Sequence, residues 1–189
     1  MVRQMERSLD TLKNNVEKFE YDEANALEIL KVPHPLLETE LEEFDFKAPP
    51  ISPITIAKHL ADTLIKNDGV GLSCNQIGMP YRACILATTP FICMFNPRIV
   101  ATSDDTNVEE EGCLSIPNLL VKIRRYDVVR VRYAEPSGKV MTRQFEMFTA
   151  RAVQHEIDHL DGILMTRRAN KIHLEQAKRK ARKLSKENV

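Results

Sequence analysis

At 189 residues and 21.6 kDa, with 43% hydrophobic and 29% charged residues, the chain has the proportions of one folded domain, which excludes a disordered segment or a disulfide miniprotein. Twenty-seven bases balance 27 acids, so the molecule as a whole has no long-range pull on nucleic acid or acidic lipid. No run of about 18 apolar residues is present, residues 1–20 mix acids and bases where a signal peptide has an apolar centre, and four cysteines are too few for a disulfide framework. The expectation is a cytoplasmic protein with reduced thiols and no DNA or membrane partner.

Met5, Leu9, Leu12, Val16 and Phe19 recur at helical steps and predict an amphipathic helix that packs on its own domain or against another chain. Pro33, Pro35, Pro49, Pro50 and Pro53 each lack an amide donor, so residues 32–53 read as an extended loop. A second helix follows, with Ser52 as N-cap, Pro53 in the first turn and Ile54, Ala57, Ala61 and Leu64 on one face. Strands are predicted from Arg82 to Thr88, from Phe91 to Val100 with a break at Asn96-Pro97, and around Val129, Val131 and Tyr133. The turn Glu135-Pro136-Ser137-Gly138 leads into Met141, Arg143, Phe145 and Met147, which alternate with polar neighbours and complete an antiparallel hairpin. A third helix is expected from Thr149 as N-cap to Gly162. A fourth runs from about Asn170, with Leu174, Ala177, Ala181 and Leu184 on one face and Lys178, Arg179, Lys180, Arg182, Lys183 and Lys186 among its basic residues. Grouped strands with flanking helices and no internal repeat place the chain in the α+β class.

The chemistry concentrates in His155-Glu156-Ile157-Asp158-His159. Two imidazoles four residues apart on a helix point to one side and can converge on one cation, with Glu156 between them. The same pair can be mere surface neighbours, so a third ligand decides. No His or Glu follows at the spacing of the common zinc proteases, since His173 lies on a different predicted helix. The candidate is Cys113, in the tight glycine-containing turn Glu111-Gly112-Cys113-Leu114-Ser115 between predicted strands. Cys74, Cys84 and Cys93 have weaker claims, the last two lying in apolar strand patterns where cysteine packs as a small hydrophobe. Gly69 and Gly71 make a G-x-G without the third glycine of a dinucleotide loop, and a nucleotide site is rejected. Asp158 either pairs with Arg125, fixing the helix against the sheet, or is a solvated carboxylate.

Three stretches, Gly69-Val70-Gly71-Leu72-Ser73-Cys74-Asn75-Gln76, Glu111-Gly112-Cys113-Leu114-Ser115 and Gln154-His155-Glu156-Ile157-Asp158-His159, resemble in order and spacing the three signature motifs of peptide deformylases. The likeness runs from about Leu27 to Arg167 and includes Pro33-His34-Pro35 and Asn96-Pro97. Ser73 and Cys74 stand where the family usually has two alanines. Many bacterial members carry glycine at the position of Asn118, or an arginine thought to hold the peptide backbone at that of Leu120.

The resemblance implies a peptide-deformylase-like fold: antiparallel or mixed sheets around a central metal-binding helix, with N- and C-terminal helices outside. The organisation is then an N-terminal extension over 1–24, a metallohydrolase core over 25–168 and a basic C-terminal helix over 169–189. The implied activity is removal of the formyl group from the N-terminal formylmethionine of nascent polypeptides, releasing formate. Cys113, His155 and His159 would hold one divalent metal and leave a fourth position open, as in catalytic sites. Glu156 would carry the proton, and the Gln76 amide and Leu114 backbone N–H would face the developing oxyanion. Gly69, Val70, Gly71, Leu72, Glu111, Gly112, Ile116 and Val153 would meet the substrate, with Ile116, Leu72 and Val153 forming an apolar slot for methionine. The implied ion is Fe2+, with Zn2+, Ni2+ or Co2+ possible in purified protein. Formylmethionyl nascent peptides are the implied partners, and the basic helix suggests contact with the ribosome. Two rivals remain at this point: a zinc peptidase acting on internal peptide bonds, and a structural or regulatory metal protein without turnover.

Overall fold

The computed structural model describes residues 20–187, so the helix predicted over Met5 to Phe19 lies outside the described residues. Seven strands form two sheets. The larger has the order β1 (Gly71–Ser73), β2 (Ala83–Leu86), β3 (Ile92–Thr102), β6 (Val128–Ala134), β7 (Val140–Glu146); the smaller is the hairpin of β4 (Thr106–Cys113) and β5 (Ile116–Tyr126). Every pairing between these strands is antiparallel. Three helices flank them, α1 (Pro53–Lys66), α2 (Met147–Leu160) and α3 (Lys171–Glu187), with a single helical turn at Met165–Arg168. No helix among the described residues is long and apolar enough to cross a membrane. The fold is α+β.

Side-chain alternation along β2 and β3 divides the core. Ala83, Ile85 and Phe95 point to one face, where Ile56, Leu60, Ala61 and Leu64 of α1 cover them. Cys84, Leu86, Ile92 and Met94 point to the other, where Val153, Ile157 and Leu160 of α2 lie across the sheet. Full burial of each such Leu or Ile is worth about 1.5–3 kcal/mol, so both helices are held by the sheet and not by intrinsic propensity. A third cluster, containing Ile116, Val121, Ile123, Met165 and Ala177, seats α3 against the small hairpin.

Several expectations are corrected at element ends. Helix α1 begins at Pro53 as expected, but the Ser52 side chain makes no cap bond. Helix α2 begins two residues before Thr149, with Glu146 at the N-cap; Thr149 Oγ1 donates back to Glu146 O at 2.8 Å from inside the first turn. Asn96-Pro97 does not break the strand. It makes a bulge between Phe95 and Arg98, where Asn96 takes φ +51° and its amide bonds Phe44 N at 2.7 Å and Phe44 O at 2.9 Å. The long β4–β5 hairpin, whose alternation is masked by charged residues on both sides, extends well beyond the turn the sequence marks.

Candidate active site

The tight turn at Cys113 is the tip of the β4–β5 hairpin: Cys113 pairs with Ile116, and a register shift between Glu111 and Cys113 re-aims the sulfur. Helix α2 brings His155 and His159 on one face, their ring centroids 4.9 Å apart. Cys113 Sγ lies 3.2 Å from His159 Nε2, and the three donor atoms of Cys113, His155 and His159 all fall within 4.8 Å of one another. Among the described residues this is the only such grouping of metal-binding side chains. His173, on α3, is not part of it, and neither are Cys74, Cys84 or Cys93. Burial pushes those three thiols up, Cys93 to about 12.

A network of buried charges holds hairpin and helix in register. Glu111 on β4 accepts from Arg125 Nε and Nη2 at 2.9 and 3.0 Å, from Arg151 Nη1 at 2.6 Å, and meets His155 Nδ1 at 3.0 Å. Arg125 reaches on to Asp158 at 2.5 Å, and Asp158 also takes Arg168 at 2.6 Å. Asp158 is therefore the buried partner of Arg125 and not a solvated carboxylate. Arg151 and Arg168 were not singled out by sequence, because charged residues on predicted helices ordinarily face water. With Nδ1 of His155 turned to Glu111, Nε2 is the ring nitrogen left for the cluster. His159 is buried with no hydrogen bond to Nδ1, and Asn75 Nδ2 instead holds the backbone carbonyl of His159 at 2.7 Å.

The electrostatics suit a cation. Burial alone would raise the Cys113 thiol, but hydrogen bonds and charge from His155 and His159 pull it well below its ordinary value, so the sulfur is poised as thiolate. A soft thiolate with two imidazoles is the donor chemistry of a first-row transition metal, and these residues fit one. Glu156 is displaced upward by burial, against the opposing pull of His155, His159 and Ser73.

Cys113 and His155 of the cluster line a cavity of about 460 Å³, with His159 buried behind them. Gly69, Val70, Gly71, Gln76, Glu111, Gly112, Leu114, Ile116 and Glu156 border it. Leu72 and Val153 do not. Leu72 follows Gly71 on a strand and so points to the opposite face, into the α1 core, while Val153 faces the sheet from α2; both are fully buried in packing. Leu119, Leu120, Phe148 and Ala152 supply apolar wall that sequence reasoning did not select. The Gln76 amide is fixed at both ends: Ser73 N donates to Oε1 at 2.9 Å, and Nε2 lies 3.2 Å from Ser115 Oγ and 3.6 Å from Cys113 Sγ. Asn118 has φ +63°, a left-handed conformation that asparagine tolerates and glycine adopts freely.

A sulfur and two imidazoles converging beside a buried carboxylate and an anchored primary amide, next to an open cavity, are a residue set that fits a metal-dependent hydrolase. The sequence profile of the polypeptide deformylase family matches residues 26–175, and the chain belongs to that family. It is 38% identical over 149 residues to the peptide deformylase of Desulforudis audaxviator (strain MP104C), which covers 77% of this chain and 95% of that one. The crystal structure of a peptide deformylase from Legionella pneumophila superposes with a TM-score of 0.75 at 28% identity, covering 86% of this chain and 97% of that one. A class I type b peptide deformylase from Acinetobacter baumannii bound to Met-Ala-Ser superposes with a TM-score of 0.72, also at 28% identity, over 76% of this chain and 98% of that one. The protein is thus a metal-dependent hydrolase that removes the formyl group from N-terminal formylmethionine.

Proposed function

We propose that Cys113, His155 and His159 hold one divalent ion and that Glu156, Gln76 and the Leu114 backbone N–H carry out deformylation beside it. The observation that carries this reading is the meeting of those three donors within 4.8 Å beside a cavity lined by Cys113, His155, Glu156 and Gln76. A divalent ion held there would supply Lewis acidity and lower the pKa of water toward neutrality. Ferrous iron is the ion we assign, as the family resemblance implies; zinc, nickel and cobalt suit the same donors, and oxidation that removes the iron would also threaten the Cys113 thiolate.

Glu156 takes a proton from the attacking water and passes it to the leaving nitrogen. A carboxyl raised by burial is suited to both halves of that transfer, because its affinity for the proton lies nearer the working pH. Gln76 and the Leu114 N–H donate to the formyl oxygen as it gains charge, and losing one such donor costs on the order of 10²–10³ in rate. Val70, Ile116, Leu119, Leu120 and Phe148 offer the apolar surface a methionine side chain requires. Gly69, Gly71, Glu111 and Gly112 shape the cavity without filling it.

The substrate is the formylated N-terminus of nascent chains in the cytoplasm, and the exposed Arg179, Lys180 and Arg182 of α3 present positive charge to ribosomal RNA. Residues 1–24 are an extension to the catalytic core over 25–168, and the basic segment 169–189 contains helix α3 (Lys171–Glu187). The test is protein prepared without oxygen and given a formylmethionyl tripeptide, with released formate and bound metal both measured. Glu156→Ala retains metal and loses formate release, whereas Cys113→Ala loses both. Wild-type turnover in either variant refutes the assignment.

A further inference from the structure

Ser73 occupies a position of the first motif where family members usually carry alanine, and the reaction above makes no use of its hydroxyl. It is fully buried at the end of β1, 83 residues from Glu156 in sequence. Its Oγ lies 2.7 Å from Glu156 Oε2 and 3.0 Å from the Glu156 carbonyl oxygen. One proton faces two acceptors. The carboxylate is nearer and charged, and charge-assisted hydrogen bonds are roughly twice as strong as neutral ones, so the proton goes to Oε2. The carbonyl belongs to the backbone ladder of α2 and does not depend on it.

The two carboxylate oxygens are therefore unequal. Oε2 is held by Ser73, while Oε1 lies directly over Gly71, a residue of the cavity wall, and receives no hydrogen bond among the described residues. Resting on the reading of Glu156 as proton carrier, we propose that Ser73 is a positioning residue, tying down Oε2 so that Oε1 performs the transfer. Water's oxygen bonds to the formyl carbon, the carbon–nitrogen bond breaks, and Oε1 relays one proton from water to the nitrogen. Ser73 keeps its own proton throughout. The terminal torsion of a glutamate is broad, so without the hydroxyl the carboxylate samples orientations that do not face the reacting atoms.

The geometry also isolates the test. Ser73 orients the Gln76 side chain through its backbone N–H, which alanine retains; its hydroxyl also caps the Gln76 backbone N–H, and the Glu156→Gln background separates the hold on Glu156 from that cap. Steady-state formate release from a formylmethionyl tripeptide is measured for wild type, Ser73→Ala, Glu156→Gln and the double variant, together with melting midpoint and metal-to-protein ratio. Ser73→Ala lowers kcat about tenfold with KM within about twofold, as expected for a displaced catalytic group. Metal content is unchanged. In the Glu156→Gln background the same substitution has no further effect, since no carboxylate remains to be held. An unchanged kcat in Ser73→Ala, or an equal fall in both backgrounds, overturns the inference while leaving Glu156 in its role. Wild-type kcat in Glu156→Gln alone overturns the reading on which it rests.

Discussion

Gly71 is the position where a single methyl group tests the site most directly. A Cβ built there would lie 2.4 Å from Glu156 Oε1 and 2.9 Å from both Cδ and Cγ, against about 3.4 Å for ordinary contact. The side chain must therefore retreat by roughly 1 Å, and misplacement of a catalytic group by that distance costs about 10² in rate. Stability changes little, because the obstructing atoms are the far end of one side chain and Gly71 stays paired with Leu86 in β1. Gly71→Ala is thus expected to lower kcat for a formylmethionyl tripeptide about 100-fold while the melting midpoint moves by only a few degrees. Formate release and calorimetry check the two halves. Activity within about twofold of wild type would refute the claim that Glu156 must occupy its place over Gly71.

The charge network predicts a stability effect. Arg125→Met leaves Glu111 and Asp158 buried with a main cation removed and should cost about 3–5 kcal/mol in denaturant unfolding. Although burial alone would raise the Glu111 carboxyl, His155 and Arg125 hold it far below its ordinary value of 4.5. A depressed carboxylate contributes stability that is present above 4.5 and lost as the pH falls below it, so wild type should lose unfolding free energy steadily in acid, and Glu111→Gln should flatten that slope. Gly162 has φ +68°, and a Cβ there would lie 2.8 Å from the Glu38 and Thr39 backbone. Gly162→Ala should cost at least about 1–3 kcal/mol, measured by the same unfolding assay. Arg179→Glu with Arg182→Glu should reduce co-sedimentation with ribosomes at low salt while leaving tripeptide turnover unchanged; equal co-sedimentation would remove the basic helix from that role.

What sequence determined by itself was chemistry carried by short separations. His155 and His159 are one helical turn apart, so their convergence follows from the period of α2, and Glu135-Pro136-Ser137-Gly138 encodes the β6–β7 hairpin locally. The motif pattern places Cys113 with the histidines, and the structure brings it to 3.2 Å from His159. Other features arise between segments far apart in the chain and left no local mark. The bond from Ser73 to Glu156, the clearance over Gly71 and the entry of Glu111 into the expected Arg125–Asp158 pair depend on how β1, β4 and β5 are set against α2. Leu72 and Val153 show the same division from the other side: both are apolar and near the motifs, yet strand alternation turns one into the α1 core and helical rotation turns the other onto the sheet. Periodicity states which residues share a face; only the packing of one element on another decides what that face meets.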